Sequence, residues 1–158
     1  MGMSEYFKKL RRCVGKDTLL VPAAAGCIRD EHGRVLLVRR SDEDGLWGFP
    51  GGAMEPGESA GQAVVREVHE ETGLEVEPIA LIGVYSSPDF AFSFPNGDRV
   101  QAVSSFFECR VAGGSLKPDM EETLELRFFG PDERPRLRPA CVARFHDAFA
   151  FQGKAFYH

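Results

Sequence analysis

The segment GGAMEPGESAGQAVVREVHEETGL, from Gly51 to Leu74, contains a helix whose two ends are both marked in the sequence. Ser59 followed by Gln62 forms a capping box: the Ser59 hydroxyl accepts from a free backbone N–H, and the Gln62 side chain reaches back to the cap. Pro56 and Gly57 supply the loop before it. Gly73 supplies the stop, because glycine tolerates the left-handed conformation that ends many helices, and Leu74 follows as the apolar contact. The spacing therefore predicts a helix over Ala60 to Thr72. At roughly 100° per residue, Glu67, Glu70 and Glu71 share an arc of about 100°, and Val64, Val65 and Val68 lie on the neighbouring arc. One side packs and the adjacent side is acidic.

Like charges at i, i+3 and i+4 cost a few tenths of a kcal/mol per pair in water, at roughly that scale, and more when desolvated. Arg66 stands four residues before Glu70 and can pair with it, but one guanidinium does not neutralise three carboxylates. Two readings stay open on the residues alone. One is a solvated acidic face, the usual fate of a charge run. The other is a site for a divalent cation such as magnesium, a hard ion that sits between a few carboxylates and substrate phosphates.

The stretch resembles the Nudix box, G-x5-E-x7-R-E-U-x-E-E-x-G-U with U a bulky aliphatic residue. The matching positions are Gly52, Glu58, Arg66, Glu67, Val68, Glu70, Glu71, Gly73 and Leu74, with no departure. LWGFPGG before the box resembles the family's strand and glycine loop, and the resemblance runs from about Val21 to Phe129. It implies an α/β fold with a mixed β-sheet sandwiched between helices, and a MutT-like hydrolase that cleaves a diphosphate linked to another moiety, using Mg2+ or Mn2+. By the same resemblance Glu67, Glu70 and Glu71 bind the metal, and the Gly51 carbonyl joins them. Arg66 orients a carboxylate, and Gly52, Glu58 and Gly73 hold the loop and helix together. The family's general base is a carboxylate of the helix or a glutamate of a later loop. Glu121 and Glu122 in DMEETLELRFF are the loop candidates, Glu122 being preferred, and a solvated acidic turn is the competing reading.

A chain of 158 residues suffices for one domain with a core. We expect a single unit over 1–158, with a helical extension over 1–20 and a last helix over about 138–150. The formal charge of −5 argues against a surface that tracks a nucleic-acid backbone. A nucleotide-type small molecule is still an admissible partner when metal ions carry the positive charge. Cys13, Cys27, Cys109 and Cys141 are too scattered for a zinc site or a disulfide framework, and no apolar run approaches a membrane span. These features predict a cytoplasmic protein without membrane contact. A homodimer is expected from the family habit and from the apolar stripe of SEYFKKLRRCVG.

LLVPAAAGCI and RVLLVRR read as strands joined by the turn DEHG, hence as a hairpin, and SDEDG follows as a polar loop. EVEPIALIGVYS, RVQAVSSFFECRV and LELRFF read as further strands, the first interrupted at Pro78. PACVARFHDAFAF reads as a helix with Val142, Phe145 and Phe149 on its apolar face. Asn96 and Gly97 mark a hairpin turn. Phe90, Phe92 and Phe94 then alternate along one arm, either to stack on a base or to cover the sheet or a dimer contact. Arg39, Arg40 and Arg99 suit phosphates or local carboxylates equally. The four histidines lack metal-like spacing.

Two functions from different classes remain. The leading one is Mg2+-dependent hydrolysis of a pyrophosphate bond, in a nucleoside diphosphate linked to X or in a nucleoside triphosphate, by water attack. The alternative is a module that keeps the fold, binds nucleotide and has lost turnover, since fold alone does not define function.

Overall fold

The computed structural model describes residues 5–41, 45–94, 96–121 and 123–158. Helix α1 (Glu5–Val14) precedes β1 (Leu19–Ile28), β2 (Val35–Arg40) and the short β3 (Trp47–Gly48) and β4 (Gly51–Ala53). Helix α2 (Ala60–Thr72) and β5 (Leu74–Tyr85) follow. A 3-10 turn (Pro88–Phe90), β6 (Ala91–Ser93), β7 (Arg99–Gly114), β8 (Thr123–Phe129), α3 (Pro139–Ala150) and β9 (Phe156–Tyr157) complete the chain.

Among the described residues the strands form two sheets. The larger is mixed, in the order β4-β1-β7-β5-β9 with β6 also on β7, and the smaller is antiparallel, in the order β3-β2-β8. Parallel pairing of β1 with β7 runs from Leu19 opposite Val100 to Ile28 opposite Cys109. This mixed sheet packed by helices is the α/β architecture expected. The strand and helix bounds follow the sequence patterns closely, but one pairing does not. β1 and β2 leave the Asp30–Arg34 turn through a single bridge, Arg29 with Val35, and then enter different sheets. The predicted hairpin is therefore corrected to a corner. Its turn is held by the Asp30 carboxylate, which accepts from the backbone N–H of His32 and Arg34 and from the Arg34 side chain.

β5 also passes Pro78 without a break, absorbing it with register shifts at Pro78/Ala80 and Leu81/Gly83. Two clusters of apolar side chains flank the mixed sheet. Val64 and Val68 of α2 pack with Ala24, Ile28, Leu36, Leu74 and Cys109 on one side. Cys141, Phe145 and Ala148 of α3 pack with Phe49, Tyr85, Phe90 and Phe106 on the other. The expected stripe on α3 is partly wrong: Val142 is 57% exposed, and the buried positions beside Phe145 include Arg144 and Asp147. Burial of Asp147 is tolerated because it accepts from the Tyr85 hydroxyl at 2.7 Å and lies 2.8 Å from His158 Nε2, and the Arg144 guanidinium lies over the Tyr85 ring at 5.1 Å. All four cysteines are free thiols, and no described helix is long and apolar enough to cross a membrane.

Candidate active site

Helix α2 begins and ends as its sequence dictates. Ser59 Oγ accepts from Gln62 N at 3.2 Å, Gln62 returns the bond to Ser59 N at 2.8 Å, and Gly73 closes the helix at φ 74°. With both ends fixed, the buried valines set the rotation of the helix, and the acidic arc turns toward β4. Two glycines of β4 make that approach possible. A Cβ on Gly52 would stand 2.6 Å from the carboxylate of Glu67, and one on Gly51 would stand 2.3 Å from the carbonyl oxygen of Ala24. The Glu67 carboxylate thus lies directly on the backbone of the glycine loop.

Glu67 and Glu71 are almost withdrawn from water, at 6% and 3% exposure, whereas Glu70 remains at the surface. Arg66 is held between acids. Its Nε and Nη2 donate to Glu58 at 3.1 and 2.7 Å, Nη1 donates to Glu67 at 2.7 Å, and Nη2 also reaches the Ala53 carbonyl at 3.1 Å. Glu70 lies farther off, 3.6 Å from Arg66 Nη1. The expected i, i+4 pair is therefore the weakest of the three, because Glu58 and Glu67 hold the guanidinium first. Among the described residues Glu71 accepts from Arg40 Nη1, 2.8 Å from Oε1, and from the Gly51 N–H, 2.9 Å from Oε2.

These partners sort the carboxylates. Hydrogen bonds from Arg66 hold Glu58 below its ordinary range, and Glu58 in turn raises Arg66. Burial pushes Glu67 upward against the opposing pull of Arg66. Burial pushes Glu71 up to about 7, with Arg40, the Gly51 N–H and Arg138 pulling the other way. At both acids burial outweighs the pull of these arginines.

The donor chemistry fits a divalent cation. Three carboxylates at i, i+3 and i+4 beside a main-chain loop are the hard oxygen set that magnesium takes. As the side chains stand, Glu67 and Glu71 face arginines, and among the described residues no three His, Cys, Asp or Glu side chains are gathered so as to hold a metal ion.

The other sequence candidates divide. Glu121 is exposed, and its carbonyl accepts from Ser41 Oγ at 2.9 Å, so its loop sits beside the end of β2 that delivers Arg40. Glu122 lies outside the described residues. Arg39 is engaged away from α2: it donates to Glu125 at 3.0 and 2.7 Å and covers the Trp47 ring at 5.9 Å. Arg99 lies at the start of β7 against the Lys16 carbonyl. That is five residues from Ser104, which pairs with Ala23 opposite β4, or roughly 17 Å along the strand. Phe90 is 7% exposed and packs edge-on against Tyr85, so the 3-10 turn takes it into the core and breaks the expected alternation. Phe92 and Phe94 remain exposed at 49% and 39%, edge to face at 5.0 Å. Arg138 escaped notice in the sequence. It lies across Gly48, where a Cβ would overlap its guanidinium, and donates to the Phe49 carbonyl at 3.2 Å. Only the glycine before Phe49 hinted at such a close approach.

The fold and this carboxylate-bearing helix define the class of Nudix hydrolases, enzymes that generally depend on divalent metals. The family model described as NUDIX domain matches residues 19–149, and the chain belongs to that family. The match reaches beyond the Phe129 limit of the sequence resemblance and includes α3. An ADP-ribose pyrophosphatase from Methanocaldococcus jannaschii is 38% identical over 139 residues, covering 84% of this chain and 78% of that protein. A Bacillus subtilis relative, provisionally named as an 8-oxo-dGTP diphosphatase, is 38% identical over 108 residues, 68% of this chain; the chain spans 65% of its length. The crystal structure of an ADP-ribose pyrophosphatase from Streptococcus suis superposes with a TM-score of 0.69 at 26% identity, covering 87% of this chain and 96% of that one.

Proposed function

We propose that this chain, acting as one catalytic unit, is a Mg2+-dependent hydrolase that cleaves the pyrophosphate bond of a nucleoside diphosphate linked to X, with nucleoside triphosphates second. The carrying observation is the pair of buried acids, Glu67 and Glu71, packed against the Gly51–Gly52 backbone, where burial outweighs the pull of the neighbouring arginines. A structural helix face has no use for that arrangement. The names of the relatives with ADP-ribose as substrate support placing diphosphate derivatives first.

In this reading Glu67, Glu70 and Glu71 hold the cation with the Gly51 carbonyl, and Mn2+ substitutes for Mg2+. Bound there, the cation spreads the charge of the diphosphate and makes water easier to deprotonate. Arg66 fixes the Glu67 carboxylate, and Glu58 fixes Arg66. The proton lost by the attacking water passes to a carboxylate, on α2 or on the loop carrying Glu121 and Glu122. Phosphoryl attack asks little else of the protein beyond positioning.

The test is phosphate release from ADP-ribose, nucleotide sugars, nucleoside triphosphates and dinucleoside polyphosphates, with Mg2+ or Mn2+ and an added phosphatase to split the products. A preference for diphosphate derivatives that chelation and Glu71→Gln both abolish is expected. Nucleotide binding without turnover across the panel would favour the silent binding module instead.

A further inference from the structure

One charged side chain against the α3 face of the sheet has no polar partner. Arg144 is 7% exposed, and among the described residues it makes no hydrogen bond and no ion pair. Its guanidinium lies over the Tyr85 ring at 5.1 Å. The Nε is sealed in without a partner, whereas the two terminal nitrogens, equally unbonded, are not sealed. A guanidinium carries five N–H donors, and leaving such donors unpaired away from water is costly.

The acid best placed to pair with it is already taken. Asp147 stands three residues on, on the same flank of α3. Its Oδ2 meets the Tyr85 hydroxyl at 2.7 Å and His158 Nε2 at 2.8 Å, and its Oδ1 lies 3.4 Å from His146 Nδ1. Asp89, in the 3-10 turn beside α3, is exposed and accepts from Ser87 Oγ at 3.3 Å. Tyr85, fixed by its own hydrogen bond, supports the guanidinium through its ring face and offers it no acceptor.

Arg144 shares a face of the sheet with the glycine loop. Gly51 lies opposite Ala25, whose side chain belongs to the same cluster as Tyr85. The pairing row Ala53, Ala23, Ser104 and Tyr85 puts Tyr85 three strand spacings from β4, or about 14 Å. Along α3, Arg144 follows Arg138 by six residues, about 9 Å, and Arg138 donates to the Phe49 carbonyl just before the loop. One extended substrate can span that interval.

We propose that the terminal fork of Arg144 binds an oxyanion, a carboxylate or phosphate carried by the X moiety of the substrate. The inference rests on the pyrophosphohydrolase reading above and narrows it: X is acidic. Two parallel N–H donors of one guanidinium match the two oxygens of such a group, and a neutral acceptor would leave the buried charge uncompensated. Arg144 is thereby a specificity residue that touches no reacting atom.

The experiment compares two substrate pairs with Mg2+: UDP-glucose with UDP-glucuronic acid, and ADP-ribose with ADP-ribose phosphorylated on its terminal ribose. Each is measured on the unsubstituted protein, Arg144→Gln, Arg144→Lys and, as a surface control, Arg127→Gln. The acidic member of at least one pair should be favoured in kcat/KM by about tenfold or more, the scale of a hydrogen bond to a charged group. Arg144→Gln should erase that preference through the acidic substrate alone, leaving the neutral one within about twofold, since only the charged contact is lost. Arg144→Lys, which keeps the charge without the fork, should fall between, and Arg127→Gln should keep the full preference. The unfolding temperature of Arg144→Gln should hold or rise, because an unpaired buried charge is gone.

No preference in either pair, or a preference that survives both Arg144 variants, would overturn the proposal. A lowered unfolding temperature with unchanged preference would do so too, making Arg144 a packing strut on Tyr85. Absence of turnover in the unsubstituted protein would overturn the hydrolase reading alone. Calorimetric binding of the same pairs then decides the oxyanion site, by tighter binding of an acidic member that Arg144→Gln removes or by equal binding throughout.

Discussion

Glu71 and Asp98 are equally withdrawn from water, at 3% exposure each, yet the protein treats them in opposite ways. Asp98 closes the β6–β7 turn and accepts from Lys16 at 2.8 Å and Asn96 at 3.0 Å, with Arg11 Nε 3.6 Å away. It lies just under the surface, covered largely by its own partners, and the Lys16 side chain is 63% exposed. Those donors hold its carboxyl below the ordinary range. Glu71 lies deeper, with one guanidinium and one backbone N–H, and burial carries it up to about 7. The first is a finished structural contact that fastens α1 to the hairpin. The second keeps its partners but is disfavoured in its charged form by burial, a perturbation that clusters at functional sites.

The strongest way to break the comparison is to neutralise each acid. Glu71→Gln should lower turnover by about a hundredfold or more, the scale of losing one electrostatic stabiliser of a transition state, and Glu67→Gln should do the same. The unfolding temperature of metal-free Glu71→Gln should hold or rise, because a poorly paired buried charge is gone. Asp98→Asn should do the reverse, leaving turnover within about twofold, since it lies outside the carboxylate site, while lowering the unfolding temperature. Steady-state kinetics and thermal unfolding of both variants check this.

Arg66→Ala comes next, because it strands Glu58 and Glu67 together. Breaking a buried ion pair costs about 3–5 kcal/mol, and with Arg66 28% exposed the expected loss is discounted to about 2 kcal/mol. Urea unfolding measures it, and a loss below about 0.5 kcal/mol would reduce the clamp to a surface contact.

Changes of pH sharpen the contrast. Glu71 takes up its proton more readily when folded, so its contribution is fully present below the ordinary carboxylate value of 4.5 and is lost as pH rises through about 7. Asp98 is depressed when folded, so its contribution is present above 3.8 and is lost as pH falls through its lowered value. In the presence of chelator, Glu71→Gln should flatten the decline in stability between about pH 4.5 and 7, and Asp98→Asn should flatten only the acid limb.

Much of the site was legible because its signals are local. Ser59, Gln62 and Gly73 fix both ends of α2, and the valine arc then fixes where Glu67 and Glu71 point. What escaped depends on contacts distant in the chain. The separation of β1 from β2 into two sheets is decided by β7 and β8, far downstream, and the turn between them looks like any hairpin. Arg138 reaches the site from the N-terminus of α3, where only the missing side chain of Gly48 makes room. Phe90 reads as part of an aromatic alternation, but Pro88 at the start of a 3-10 turn rotates it inward. Arg40 and Arg39 are adjacent and chemically identical, and the irregular pairing of β2 with β8 between them, which brings Arg39 opposite Glu125, is not written in the local sequence.

The most direct measurement is the shift in unfolding temperature on adding Mg2+ or Mn2+ at pH 8 to the unsubstituted protein, Asp98→Asn and Glu71→Gln. The account predicts a saturable rise in the first two, because the cation supplies the charge that Glu71 lacks, and little or none in Glu71→Gln. An equal rise in Glu71→Gln, or none in any of the three, would contradict it.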